Sequence, residues 1–81
     1  MTSVAVDLLE RTARAKKQLP PPALRRAIRE AAGVSQEDVA RVFDPPVHRE
    51  TVSRWERGER TPRGQHLLAY VELLEVLRGV G

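Results

Sequence analysis

A compact all-α bundle of about five helices is the fold class predicted for this chain, and three observations predict it. Apolar residues recur at steps of three and four. No run of β-branched residues alternates over five or more positions, as a half-buried strand requires. Prolines and glycines sit between the periodic stretches, at 20–22, 33, 45–46 and 58, where they stop helices. With 81 residues and 41% hydrophobic content the chain buries one modest core and not a second.

The first segment is capped by Thr2 or Ser3. It places Val4, Leu8, Thr12, Ala15 and Leu19 on one side, with Asp7, Glu10, Arg11, Arg14 and Lys17 opposite, and is expected to end near Lys17. Leu19-Pro20-Pro21-Pro22 breaks it, because proline has no N–H to donate and pushes its predecessor toward extended geometry. Pro22 then opens a second helix, about Pro22 to Ala32, with Leu24, Ala27, Ile28 and Ala31 inward and Gly33 as its left-handed stop. Ser35-Gln36-Glu37-Asp38 matches a capping box for a third helix that presents Val39 and Val42 and ends at Asp44-Pro45-Pro46. The fourth is expected from about Arg49 to Arg57, burying Val52 and Trp55 and closed by Gly58. After the loop 59–63, the last helix carries Leu67, Leu68, Tyr70, Val71, Leu73, Leu74, Val76 and Leu77. These cover about two-thirds of its circumference, more than one buried face needs. Residues 1–19 therefore read as an amphipathic helix and linker attached to a domain over 22–81.

Composition excludes several functions. There is no cysteine, so no disulfide framework and no thiolate metal site, and His48 and His66 are too few and too far apart to suggest zinc. The first seventeen residues lack a basic start followed by an apolar run, and no segment has the length of a bilayer span. A soluble chain in a reducing, intracellular compartment is expected, with no membrane partner. Glycine-rich phosphate loops, nucleophile elbows and ligand clusters are missing, so catalysis finds no support and no cofactor, metal or small-molecule ligand is expected. The net charge of +3 alone points weakly to nucleic acid, but its distribution says more. Arg49, Arg54, Arg57, Arg60 and Arg63 crowd one stretch against Glu50, Glu56 and Glu59. If one or two of those carboxylates turn inward, this surface is locally positive.

The stretch from Ser35 to Gly58 reads as two short helices joined by a turn, with basic and small polar residues on the open face of the second. That is the layout of a DNA-reading helix-turn-helix. Arg29-Glu30-Ala31-Ala32-Gly33-Val34-Ser35-Gln36, then Val39-Ala40, then Val52-Ser53-Arg54-Trp55-Glu56-Arg57-Gly58, then Pro62 together resemble the lambda-repressor-like (XRE-type) helix-turn-helix family of phage and bacterial regulators. The resemblance covers about Leu24 to Leu77. It implies that Ala40 lets the two motif helices pack closely, that Val52 anchors the recognition helix, and that Glu56 pairs with Arg29 as a structural ion pair. A carboxylate beside a core Trp needs such a partner, since an unpaired buried charge costs several kcal/mol. The turn departs from the family pattern. Members carry a shorter, glycine-centred turn, whereas Asp44-Pro45-Pro46-Val47-His48 is two residues longer and stiffer, and His48 stands where a Ser or Thr normally caps the recognition helix.

The expected base-reading face is Arg49, Glu50, Ser53 and Arg54, because the first turns of such a helix reach the major-groove floor. Arg54 can bond both acceptors of a guanine and Glu50 can accept from a cytosine amino group, which suggests a G·C-containing half-site. The blander alternative makes Arg49 and Glu50 a solvated pair. Phosphate anchors are expected at Gln36, with the free amides of the third helix, and at Arg60 and Arg63, with His48 adding to them. Arg60 and Arg63 read otherwise as a solubilising loop. The expected function is a sequence-specific, double-stranded DNA-binding transcriptional regulator in the bacterial cytoplasm, most simply a small repressor. Its expected form is a homodimer joined through the last helix, the first, or both. The alternative is an antitoxin, protein-interaction adaptor or recombination accessory factor that uses the apolar last helix as its partner surface. The first helix is expected to pack or dimerise ahead of touching DNA through Arg11, Arg14, Lys16 and Lys17.

Overall fold

The computed structural model describes residues 3–81, and among them the chain forms five helices and no strand. They are α1 (Val4–Gln18), α2 (Pro22–Ala31), α3 (Gln36–Val42), α4 (Arg49–Arg57) and α5 (Gly64–Val80). Each boundary has a local cause. Ser3 Oγ accepts from the Val6 amide at 3.2 Å and starts α1, while Thr2 lies outside the described residues. Pro22 stands in the first turn of α2, where its missing N–H leaves no gap. The box at α3 is reciprocal. Ser35 Oγ accepts from the Asp38 amide at 3.0 Å, and the Asp38 carboxylate accepts from the Ser35 amide at 3.2 Å. The Ser35 amide, and after it the Ser35 side chain, holds the Asp38 carboxyl below its ordinary range.

Gly58 ends α4 at φ +75°, and the Glu59 amide folds back to the Arg54 carbonyl at 3.0 Å. A side chain there meets two obstacles at once, the left-handed backbone and Pro22 Cγ at 3.0 Å from a Cβ. This turn locks the end of α4 against the start of α2.

The main core gathers Ile28, Val39, Ala40, Phe43, Val52, Trp55, Tyr70, Leu74 and Leu77. Trp55 lies at its centre, with the Phe43 ring edge-on at 5.4 Å and Tyr70 tilted at 4.8 Å. Burial, and after it the Glu56 carboxylate, pushes the Tyr70 phenol up to about 12, so it stays protonated. A smaller cluster joins Ala15 of α1 to Leu67 and Val71 of α5, and Leu19 touches both clusters. The broad apolar surface of α5 is thus explained in part by position. One side seals the main core and another lies under α1 of the same chain.

Several sequence expectations about facing are corrected. Leu24 (42% exposed), Ala27 and Ala31 point outward, and the inner stripe of α2 is Arg25, Ile28 and Arg29, continued by the cap residue Ala32. Counting apolar residues misplaced this face because a buried arginine belongs to it. Arg25 donates through Nε to the Pro20 carbonyl at 2.6 Å and through Nη1 to the Trp55 carbonyl at 2.8 Å. Val42 is 58% exposed and Phe43 takes its place inside, since the backbone turns extended there and swings the ring inward. Val4 is 85% exposed, so α1 is anchored at its second half and not along its whole stripe. α2 stops at Ala31, with Ala32 as its cap, and α1 runs one residue past Lys17.

Candidate nucleic-acid interface

α3 and α4 pack through Val39, Ala40, Val52 and Trp55, and small Ala40 sits fully buried between them. The longer turn closes by the Val47 amide donating to the Ala40 carbonyl at 3.1 Å, with Val47 half-buried on the core. His48 caps α4 by backbone conformation alone and makes no side-chain bond to the helix.

Glu56 is the buried acceptor beneath this pair of helices. Its carboxylate takes Arg29 Nε at 2.5 Å and Nη2 at 3.0 Å, a two-point fork, and Gln36 Nε2 at 3.1 Å. Arg29 also donates to the Val34 carbonyl at 2.9 Å. The bond to Glu56 raises the Arg29 pKa, ahead of the opposing effect of burial. Gln36 passes the network outward, because its Oε1 lies 3.5 Å from Arg49 Nε. A single chain of contacts therefore runs from the α2–α4 ion pair to the first residue of α4.

The outer face of α4 carries Arg49, Glu50, Ser53, Arg54 and Arg57, all exposed except half-buried Ser53. Glu50 is shared. Arg54 Nε stands 3.5 Å and Arg57 Nη2 3.1 Å from its carboxylate, and these arginines, Arg57 foremost, lower the Glu50 pKa. Arg57 also bonds Ser53 and Glu59. Arg57 was missed as a site residue, although its spacing of four from Ser53 and seven from Glu50 puts all three on one stripe.

Two clefts flank this face. One, of about 510 Å³, is lined by Arg26, Arg29, Gln36, Arg49, Ser53 and Arg57, with Ser35, Glu37 and Glu56. The other lies between the turn and the loop after α4, where His48, Thr51, Arg60, Arg63 and His66 face Val47 and Trp55. Among the described residues, Arg60 and Arg63 make no ion pair with a carboxylate, and Glu59 beside them is held by Arg57. His66, in the first turn of α5 just past its cap Arg63, lines the same cleft and was also missed. Of the three carboxylates between 49 and 63, only Glu56 turns inward, while Glu50 and Glu59 stay outside as partners of arginines.

An exposed arginine-bearing helix held by a second helix across a turn, between basic clefts, defines a helix-turn-helix DNA-binding class. The helix-turn-helix family model matches residues 26–77, well over half the chain. The protein belongs to the lambda-repressor-like (XRE-type) helix-turn-helix family of DNA-binding regulators. α1 lies outside the matched region. No curated protein and no solved structure matched the chain. No helix among the described residues is long and apolar enough to cross a membrane.

Proposed function

We propose that the protein is a sequence-specific regulator of transcription, a small repressor that lays α4 in the major groove of duplex DNA. The observation that carries this reading is the outer strip of exposed Arg49, Glu50 and Arg54 with half-buried Ser53, on a helix whose other side is fixed by Glu56 and Trp55. A helix is about 10–12 Å wide and the groove about 12 Å, so α4 fits with its outer face toward the base edges. Arg54 reads a guanine and Glu50 a cytosine amino group, each exchanging a solvated ion pair for a base contact. Gln36, on one side, and His48, Arg60 and Arg63, on the other, hold the phosphates that border the groove.

The form we propose is a homodimer on an inverted repeat. Ala69, Leu73, Val76 and Val80 share one stripe of α5, and Val76 and Val80 are 61% and 67% exposed, which supports a contact between copies. The competing adaptor reading drew on surplus apolar surface along α5, and α1 covers part of that surface. Selection of bound duplexes from a random pool tests the proposal. An enriched G·C-containing half-site, repeated with inverted symmetry about one helical turn away, is expected. Recovery of no enriched sequence overturns it.

A further inference from the structure

We infer that α1 extends the DNA-binding surface beyond the helix-turn-helix, with Lys16 as a phosphate contact. This rests on the proposed reading of the protein as a duplex DNA binder. A third cleft, of about 490 Å³, lies between α1 and the loop that leads into α5, and Thr12, Lys16, Thr61, Pro62, Arg63 and Leu67 line it with Gly64. Thr61, Pro62 and Arg63 also wall the cleft that carries His48, Arg60 and His66. The two clefts adjoin along the 61–63 loop, and Arg63 lines both.

No carboxylate lines the cleft against α1, whereas Glu59, held by Arg57, lines the adjoining one, and among the described residues Lys16 and Arg63 have no ion-pair partner. Elsewhere the exposed arginines are largely neutralised locally: Arg14 by Glu10, Arg26 by Glu30, Arg41 by Glu37 and Asp38. Other exposed cations, Arg11, Lys17, Arg49 and Arg78, also lack a carboxylate partner among the described residues, but Lys16 and Arg63 share one cleft that no carboxylate lines. Two cations and the hydroxyls of Thr12 and Thr61 in one cleft suit a phosphodiester, which carries a negative charge and accepts hydrogen bonds. Position on α1 is held by Ala15, whose burial against Leu67 and Val71 fixes the adjacent Lys16. Arg11 and Lys17 are exposed on the same helix but do not line this cleft.

The test is the salt dependence of binding to a random-sequence duplex, measured on the full chain for wild type, Lys16→Gln, Lys16→Arg and Lys17→Gln. Loss of one phosphate contact lowers the slope of log affinity against log salt by about 0.9. Lys16→Gln is then expected to bind weakly at low salt and to recover about 3-fold relative to wild type between about 50 and about 200 mM. Lys16→Arg is expected to keep the wild-type slope, as is Lys17→Gln. An unchanged slope for Lys16→Gln overturns the inference, and so does an equal drop for Lys17→Gln, which marks diffuse charge instead of a contact. If wild type itself binds no duplex, the parent proposal falls with it; if wild type binds and Lys16→Gln matches it, only the role of α1 falls.

Discussion

The two glutamates of α4 make a natural comparison. Glu56 and Glu50 lie six residues apart, and each is gripped by arginine. The side chain of Glu56 is 3% exposed and that of Glu50 is 61% exposed. Burial gives the same chemistry opposite uses. Around Glu56 water cannot replace a lost partner, so Arg29 and Gln36 are obligatory and the cluster sets where α4 lies. Around Glu50 water competes freely, so the pairs with Arg54 and Arg57 are worth little and can be traded for contacts to DNA. A recognition helix needs one side of each kind.

The largest expected effect breaks the buried side. Glu56→Ala leaves Arg29 uncompensated and is expected to destabilise the fold by about 3–5 kcal/mol, read from the denaturant midpoint. A shift within about 0.5 kcal/mol contradicts an obligatory pair. Glu56→Gln keeps the shape and loses the charge, so an intermediate loss is expected from the same measurement.

On the exposed side, Glu50→Gln is expected to leave the denaturant midpoint nearly unchanged while releasing Arg54 and Arg57. Binding to random duplex should then tighten, with the preference at one cytosine relaxed. Weaker binding to random duplex shows that Glu50 organises the arginines instead of occupying them.

The smallest effect is a titration. Arg57, and then Arg54, holds the Glu50 carboxyl below its ordinary value of 4.5. Because the folded value is the lower one, whatever stability this contributes is present above the ordinary value and lost as pH falls through the folded one. In Arg57→Ala, the Glu50 resonance followed by NMR against pH is expected to titrate closer to 4.5 than in wild type.

How much of this was legible in the sequence follows the same division. Periodicity, caps and breakers located the helices, and α4 was bounded at Arg49 and Arg57 because Gly58 and the prolines before it leave little choice. Facing was harder where charge is buried. Arg25 hides its guanidinium on two backbone carbonyls that only the folded chain brings together, so an apolar count rotated α2 wrongly. Phe43 escaped notice because it enters the core from just beyond its helix, where periodicity no longer applies. Partners across the exposed face followed the same rule. The stripe Glu50-Ser53-Arg57 was readable from spacing, whereas the cleft that Lys16 and Arg63 both line depends on α1 lying over α5, which no local pattern encodes.

The central claim is that the exposed side of α4 reads sequence while the buried side only holds it in place. Arg54→Ala tests it most directly, through the ratio of affinities for a selected site and for random duplex, compared with wild type. That ratio is expected to fall by about 5- to 150-fold, the equivalent of about 1–3 kcal/mol, with preference relaxed at one base pair. Equal weakening on both duplexes would leave the ratio unchanged and contradict the claim.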